Sequence, residues 1–503
     1  MRINRILVVM TATTLLLSGC KKDTEPSPDK DPDPTQNPTS STLVAEAGAD
    51  QAVQLGATVT LDGSGSKDSG NKTLTYQWAI TQKPASSTVT LSTATAVKTT
   101  FVPDKAGDYE IELTISNGKA NQKDKVKVTV TPIPTQAKLL DEVISAKTVL
   151  EDRVPDPALP DYIVDKRLVV QAELAINPGV TIAFARDAQF NVTNTGGILV
   201  AKGEAAKRIR FIGKEATKGF WQGLWITSES SGNVLENVDI LHGGGRVVYM
   251  SAMAGLTLSG KAQLNLKNTL ISESDGYGLH AADGTVLREF VANKFSNNTE
   301  SGVFVSADNV KALDAASVYT AGNGRNLVEI LKSNLSPTTK EIVWKALDDQ
   351  TPYLLQNSVT VQSELRLEPG VVLKTSRNVI IAVDSKGSLS AVGTPEKRIK
   401  IGGLEAEAGY WRGLHYSWSA SAKNRLEYVD LTDGGSSASV SGVKSNLAVS
   451  GSTTLISVKN CAISRSAGYG IFVTYEARNQ LSKDAESVNK FEDNTQGTIL
   501  IGN

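Results

Sequence analysis

Residues 220–226 read FWQGLWI, and residues 410–416 read YWRGLHY. One pattern, an aromatic residue followed by Trp, a polar residue, Gly and Leu, therefore occurs once in each half of the chain. Chemistry at an active site requires a motif once, whereas a structural joint recurs in every copy of a repeated fold. The doubled motif predicts a duplicated unit, in which Trp covers the edge of a layer and Gly forms a tight corner.

The duplication extends well beyond this motif. Four further pairs of stretches keep the same order in both copies: LAINPGVTIAF (174–184) with LRLEPGVVLKT (365–375), KRIRFIG (207–213) with KRIKIGG (397–403), LENVDILHGGG (235–245) with LEYVDLTDGGS (426–436), and NKFSNNT (293–299) with NKFEDNT (489–495). We assign the first copy to residues 133–335 and the second to residues 336–503.

Within each copy, short apolar runs recur about every 20–25 residues and are separated by Gly, Asn or Asp. One turn of a parallel β-helix has this length, and Asn after one strand can form a ladder with Asn on the next turn. The ordered motifs PG, KRI, W-x-G-L, L-E-x-V-D and G-Y-G resemble those of right-handed parallel β-helix proteins of bacterial surfaces. The resemblance implies an all-β solenoid. Two abutting solenoids remain an alternative to the single continuous one that we favour.

Two stretches lack a clean strand rhythm. They are residues 136–171, before the first set of repeats, and residues 326–362, between the two copies. We interpret both as lead-in segments that contain some helix.

The amino terminus has the pattern of an export signal. Arg2 and Arg5 precede the apolar run ILVVMTATTLLL, which is short for a transmembrane helix, and LSGC then ends at Cys20. This order resembles the lipobox of bacterial lipoproteins. The resemblance implies a signal peptide at 1–19, a lipid on Cys20 and attachment to a membrane. The alternative is an ordinary secretory signal with an incidental Cys.

Residues 20–42 are rich in Pro, Asp and Ser and lack the apolar residues of a core, so they predict an extended tether. The charged residues Lys21, Lys22 and Asp23 resemble the surface-export signal of Bacteroidetes lipoproteins. These features predict an extracytoplasmic, lipid-anchored protein of the outer membrane, exposed at the cell surface.

Residues 43–132 alternate in polarity between Gly, Asn and Asp turns, a spacing typical of a small β-sandwich. Four stretches resemble those of a PKD domain, in the family's order: AGAD (47–50), LDGSGS (61–66), YQW (76–78) and AGDY (106–109). The resemblance implies an immunoglobulin-like module with Trp78 in its core, which acts as a spacer or a weak binding module.

Asp62 and Asp68 of this module are expected to fix turns through bonds to the backbone, and Ca²⁺ ligation is the alternative. No HExxH motif, His cluster or Cys pair predicts a zinc site. We therefore predict no cofactor, with calcium as the alternative. Cys461 lies in an apolar run and is expected to be buried. The net charge is −1 without a basic block, so a nucleic-acid partner is not expected.

Aromatic residues are the candidate ligand contacts, because a flat ring packs on the apolar face of a sugar. Trp221 and Trp411 occupy matching positions in the two copies, which favours a structural role over a sugar platform. The aromatic candidates that remain are Trp225 and Trp418, which do not match each other, and the Tyr residues of the two GYG motifs, Tyr277 and Tyr469.

Catalytic candidates follow from the resemblance, since β-helix lyases and hydrolases use carboxylate clusters with an Arg or Lys base. The candidates are Glu236, Asp239, Glu427, Asp430 and Arg246. The four carboxylates fill matching positions in the two copies, which indicates a structural role.

The sequence thus predicts a non-catalytic envelope protein that presents a rigid surface for glycan binding, adhesion or scaffolding. Its expected partners are a membrane and either polysaccharide or envelope proteins. The alternative is a polysaccharide lyase or glycoside hydrolase. An enzyme would need a side-chain cluster that breaks the symmetry of the repeat.

Overall fold

The computed structural model describes residues 42–331, 334–335, 340–348 and 350–503. The predicted signal peptide, the lipidation site Cys20 and the tether up to residue 41 lie outside this part of the chain. No helix among the described residues has the length and apolar character that crossing a membrane requires.

The chain divides into two compact units, Met1–Pro132 and Ile133–Asn503, and each is described by itself. The amino-terminal unit has eight strands: β1 (Leu43–Val44), β2 (Gln51–Gln54), β3 (Val59–Asp62), β4 (Lys67–Asp68), β5 (Thr75–Gln82), β6 (Lys98–Phe101), β7 (Gly107–Ser116) and β8 (Asn121–Thr131). A four-stranded sheet has the order β2-β8-β7-β5, and two-stranded sheets pair β3 with β6 and β1 with β4.

Alternating burial along these strands builds one core between the sheets. Trp78 lies in that core with 1% of its surface exposed, as predicted, and its Nε1–H donates to the Ala96 carbonyl at 3.0 Å. Tyr109 is fully buried, and its hydroxyl donates to the Lys105 carbonyl at 2.8 Å. A Tyr bonded back to nearby backbone in this way is typical of immunoglobulin-like sandwiches.

The carboxyl-terminal unit consists of short strands: β9 (Lys138–Leu139), β10 (Val143–Ile144), β11 (Thr148–Leu150), β12 (Tyr162–Val164), β13 (Arg167–Val170), β14 (Glu173–Ile176), β15 (Thr181–Phe184), β16 (Gln189–Val192), β17 (Ile198–Lys202), β18 (Ile209–Gly213), β19 (Leu224–Ile226), β20 (Val234–Glu236), β21 (Val238–Leu241), β22 (Ala254–Leu258), β23 (Gln263–Lys267), β24 (Leu270–Ser272), β25 (Tyr277–Ala281), β26 (Val286–Val291), β27 (Lys294–Ser296), β28 (Ser301–Val305), β29 (Val318–Ala321) and β30 (Arg325–Ile330). The chain continues with β31 (Ile342–Trp344), β32 (Tyr353–Leu355), β33 (Val359–Val361), β34 (Glu364–Leu367), β35 (Val372–Thr375), β36 (Ile380–Val383), β37 (Ser388–Val392), β38 (Ile399–Gly403), β39 (Gly413–Ser417), β40 (Arg425–Glu427), β41 (Val429–Thr432), β42 (Ser445–Ser450), β43 (Ser457–Lys459), β44 (Ala462–Ser464), β45 (Tyr469–Val473), β46 (Lys490–Glu492) and β47 (Gly497–Ile501). Two short 3₁₀ helices, Ala307–Ala312 and Tyr475–Ala477, interrupt them.

These strands form five parallel sheets. The long sheet has fourteen strands in the order β10-β13-β16-β19-β22-β25-β28-β30-β32-β35-β38-β41-β44-β46. The eight-stranded sheet runs β9-β12-β15-β18-β21-β24-β27-β29, and the amino-terminal six-stranded sheet runs β11-β14-β17-β20-β23-β26. The five-stranded sheet runs β31-β34-β37-β40-β43, and the carboxyl-terminal six-stranded sheet runs β33-β36-β39-β42-β45-β47. The all-β prediction is therefore confirmed.

Successive strands visit three sheets in rotation. β13, β14 and β15 belong to three different sheets, and the next three strands, β16, β17 and β18, pair with them in the same order. The buried side chains form apolar rows, and one cluster of buried residues continues through both predicted copies. Since burial of apolar area is the main stabilising effect in folding, both copies share one source of stability.

Asn ladders join neighbouring strands, as the sequence predicts. Asn298 Nδ2 donates to Asn323 Oδ1 at 2.9 Å, and Asn298 Oδ1 accepts the backbone N–H of Ser274 at 3.1 Å. Each amide thereby satisfies buried polar groups of the neighbouring repeat, which would otherwise cost about 1–3 kcal/mol apiece.

The second copy is displaced by one sheet relative to the first. The KRI strand of the first copy, β18, lies in the eight-stranded sheet, whereas its counterpart β38 lies in the long sheet. Likewise β19 lies in the long sheet and its counterpart β39 in the carboxyl-terminal six-stranded sheet. The displacement arises at the junction, where β30 and β32 both pair within the long sheet. Equivalent residues of the two copies therefore occupy different sheets.

The prediction of helix in the two lead-in segments is wrong for the described residues. Residues 136–171 contain β9 to β13, and the described part of residues 326–362 contains β30 to β33. Their strands are short and widely spaced, which conceals the period-2 pattern by which a strand is identified in sequence.

Candidate functional site

The two Trp residues of the duplicated motif lie inside the core. Trp221 and Trp411 have no exposed surface, and their Nε1–H groups donate to the carbonyls of Leu241 at 2.8 Å and Thr432 at 2.7 Å. A ring without exposed surface is out of reach of a sugar.

The glycines of the same motif form corners. Gly223 and Gly413 have φ of +97° and +115°, a region that L side chains rarely adopt. A Cβ at Gly223 would lie 2.5 Å from the Ala254 carbonyl oxygen, and one at Gly413 would lie 2.6 Å from that of Ser445. The motif is therefore a structural joint in both copies.

The structure does not bring the candidate catalytic carboxylates together. Asp239 and Asp430 each pair with the Arg of a KRI motif, at 2.7 Å from Arg208 and Arg398 respectively. Both aspartates thus hold the preceding strand in the same way. Asp239 lies in the eight-stranded sheet and Asp430 in the long sheet.

The other charged candidates also lie apart. Glu236 is at the end of β20 in the amino-terminal six-stranded sheet, and Glu427 in the five-stranded sheet pairs with Arg425 at 3.0 Å. Exposed Arg246 lies 3.3 Å from Asp187. Their catalytic roles stay predictions.

In the amino-terminal unit, Asp62 Oδ1 accepts the Ser64 N–H at 3.0 Å, and Asp68 Oδ2 accepts the Lys72 N–H at 3.0 Å. Hydrogen bonds from Lys98 and Ser64 lower the pKa of Asp62 to about 2. In the described part of the chain, no three His, Cys, Asp or Glu side chains converge as a metal site. Calcium binding stays a prediction.

Tyr277 belongs to a row of stacked rings on the long sheet. Its ring stacks on Phe304 at 4.6 Å, and Phe304 stacks on His280 at 5.2 Å. The Tyr277 hydroxyl donates to Glu329 Oε2 at 3.3 Å. Burial raises the pKa of Tyr277 to about 12, so this group stays protonated. The second GYG residue, Tyr469, is half-buried in the carboxyl-terminal six-stranded sheet.

His280 predicts an acid-sensitive stability. It is 1% exposed, and burial lowers its pKa from 6.5 to about 4. The unfolded chain therefore binds a proton below about pH 6.5 that the folded chain excludes, so the contribution is complete above pH 6.5 and is lost towards pH 4. This loss amounts to about 3 kcal/mol at about 1.4 kcal/mol per pKa unit.

The matched variant is His280→Phe, because Phe472 occupies the equivalent position in the second copy. Urea unfolding at pH 7 and at pH 4.5 should show a smaller difference for this variant than for the wild type. An unchanged difference would contradict the prediction.

Trp225 and His415 are equivalent and make the same contact. Trp225 is half-buried and its Nε1–H donates to Ser259 Oγ at 2.8 Å, whereas His415 Nε2 lies 2.8 Å from Ser450 Oγ. Burial lowers the pKa of His415, so its imidazole is neutral at pH 7. Two different rings thus fill one structural position.

A pair of equivalent serines follows this position. Ser228 of the first copy donates its hydroxyl to the Gly197 carbonyl, and Ser419 of the second copy donates its hydroxyl to the Gly387 carbonyl. The shared bond shows that the two serines occupy the same place in their copies.

Trp418 has no counterpart in the first copy. One residue, Thr227, stands between Ile226 and Ser228. Two residues, Ser417 and Trp418, stand between Tyr416 and Ser419. Trp418 is therefore a single-residue insertion in the second copy.

The inserted residue is held outward. Trp418 has φ of +59°, which is uncommon for a bulky residue, and 52% of its surface is exposed. One face of its indole lies on Gly451, where a Cβ would come within 2.6 Å of the ring. The equivalent glycine of the first copy, Gly260, has nothing within 4 Å of such a Cβ. A strained, exposed ring that one copy alone carries is the feature expected of a binding contact.

Sequence reasoning named Trp418 as a candidate but missed the insertion. The signal was present, because Trp221 and Trp411 differ in number by 411 − 221 = 190, whereas Asn233 and Asn424 differ by 424 − 233 = 191. Both Asn side chains donate to the carbonyl of the Ser five positions earlier, which confirms that they are equivalent.

Residues 47–130 match a family model described as a PKD domain, so the amino-terminal unit contains a PKD domain, as predicted. Solved structures similar to the chain include the solution structure of the PKD domain from KIAA 1837 protein. It is 29% identical over 19% of this chain and 93% of that chain, with a TM-score of 0.17.

Another is a nucleoside hydrolase-related hypothetical protein from Saccharophagus degradans that is associated with carbohydrate metabolism. It is 25% identical over 18% of this chain and 25% of that chain, with a TM-score of 0.17. No curated protein matches the chain. The PKD domain indicates an extracellular or adhesion-type module.

Proposed function

We propose that this protein is a non-catalytic, lipid-anchored envelope protein that binds glycans at Trp418. In this proposal the predicted lipid on Cys20 and the tether hold the PKD domain and the carboxyl-terminal unit outside the cell membrane. The five parallel sheets are the faces of one right-handed β-helix. The rotation of strands through three sheets and the shared core of both copies support that architecture.

The observation that carries the glycan proposal is the insertion of Trp418. An exposed indole face offers apolar area and a π surface to the C–H groups of a sugar ring. Gly451 supports the other face, so the ring is oriented before a ligand arrives, which lowers the entropic cost of binding.

The test is retention of a soluble form, residues 21–503, on a panel of host and plant polysaccharides. Trp418→Ala should weaken the binding about 10- to 100-fold, the range for a Trp at the centre of an interface. Deletion of Trp418 should have the same effect, because it gives the second copy the loop length of the first. Trp225→Ala is the matched control and should retain binding. Full binding by Trp418→Ala, or no binding to any polysaccharide, would reject the proposal.

The enzyme alternative is tested in the same incubations by measuring new reducing or unsaturated ends. The described residues include a cluster that breaks the repeat symmetry, around Glu329 of β30. Its carboxylate has no exposed surface and already accepts bonds from Ser301, Arg325, Tyr277 and Gln356. A carboxylate enclosed in this way does not favour catalysis, so we expect no new ends.

A further inference from the structure

Among the described residues, two aromatic side chains are exposed, Trp418 at 52% and Tyr475 at 51%. Both follow strands of the carboxyl-terminal six-stranded sheet, at the same edge: Trp418 follows β39, and Tyr475 follows β45. β42 lies between those strands, and Gly451, which follows β42, supports Trp418. At about 4.8 Å between strands, the two backbones lie about 10 Å apart.

A cation accompanies the second aromatic ring. The Arg478 guanidinium carbon lies 4.0 Å from the centre of the Tyr475 ring, and Nη1 donates to the Tyr475 carbonyl at 2.9 Å. Both residues are exposed. Within the described chain, no carboxylate lies within ion-pair distance of Arg478, whereas Arg465 and Arg425 of the same copy each pair with one.

Such an arrangement suits an anionic sugar. The guanidinium is planar and always charged, and it recognises a carboxylate through two parallel N–H···O bonds. One bond to the Tyr475 carbonyl and the contact with the ring restrain Arg478, while its other donors are free for a ligand. The ring beside it offers apolar area to the same sugar.

We infer that Tyr475 and Arg478 form a second subsite, which binds an acidic sugar of the same glycan chain that Trp418 holds. This inference rests on the proposed function. The chain crosses the strands of the sheet from Trp418 towards Tyr475. A single sugar cannot span both residues, so binding strengthens from monosaccharide to oligosaccharide.

The test compares acidic polymers with their carboxyl-reduced forms, which differ in charge alone. Affinity electrophoresis of residues 21–503 is run in polygalacturonate, alginate and hyaluronate, each beside its reduced form. At least one acidic polymer should bind about tenfold more tightly than its reduced form, the discrimination of one charge-assisted bond of about 1.4 kcal/mol. Arg478→Gln should abolish this difference and leave binding of the reduced polymer unchanged.

Three results overturn the subsite: equal binding of every acidic polymer and its reduced form, loss of both forms alike in Arg478→Gln, or no effect of that variant. Equal binding that still requires Trp418 rejects the second subsite and leaves the glycan-binding proposal standing. Absence of binding to every polymer, including the neutral panel, rejects both. Circular dichroism of Arg478→Gln monitors the fold, which an exposed side chain should not alter.

Discussion

Trp221→Ala should lower the free energy of unfolding of the carboxyl-terminal unit by about 3–5 kcal/mol. The side chain has no exposed surface, its ring stacks on Phe184 at 4.1 Å, and its Nε1–H donates to the Leu241 carbonyl. Alanine would leave a cavity of most of the indole volume. It would also leave a buried carbonyl without its donor, and the parallel strands around it cannot close the gap without breaking their register.

Urea unfolding followed by circular dichroism measures this loss. Trp411→Ala should cost a similar amount, since Trp411 is equally buried and makes the equivalent bond to Thr432. Trp225→Phe is the control, because Trp225 is half-buried, and it should cost less. A loss below about 1 kcal/mol for Trp221→Ala would show that the joint does not stabilise the fold.

Glu329→Ala should also cost about 3–5 kcal/mol, because it removes the acceptor from a buried, charged network. Glu329 accepts from Ser301 and from Arg325 at one oxygen and from Tyr277 and Gln356 at the other. Gln356 follows β32, the first strand of the long sheet beyond the junction, so the network fastens the two copies to each other.

Glu329→Gln is the matched variant and should cost less, because it keeps the shape and an acceptor oxygen. Burial raises the pKa of Glu329, so its ionised form is penalised in the folded chain, and the penalty grows as the pH rises above about 4.5. Urea unfolding at pH 5 and pH 8 should therefore show a smaller difference between these two pH values in Glu329→Gln. Equal costs of the Ala and Gln variants would contradict a specific role for the carboxylate.

The sequence predicts those features that depend on local pattern. Alternating polarity predicts the sandwich around Trp78, and the repeated motifs predict the duplicated parallel strands and the Asn ladder at Asn298. Burial of Cys461, which is 2% exposed, follows from its apolar run. Each of these features depends on neighbouring residues or on the next repeat of the chain.

The features that escape prediction depend on long-range counting. The displacement of the second copy is decided by how many strands the junction contributes to the long sheet, and those strands carry a weak pattern. Glu329 stands alone in the apolar run NLVEIL, and nothing near it in sequence reveals that Tyr277 and Gln356 will reach it. The insertion of Trp418 is a difference of one residue, visible after the two copies are aligned position by position.

The one-sheet displacement of the second copy has a consequence for valency. Tandem copies gain avidity when both can engage one ligand at once, and geometry that forbids this removes the gain. Here equivalent strands of the two copies, such as β19 and β39, belong to different sheets. A straight polymer lying along one sheet meets equivalent surfaces from one copy alone. The duplication therefore lengthens the molecule without doubling its grip, and each copy is free to diverge towards a different ligand.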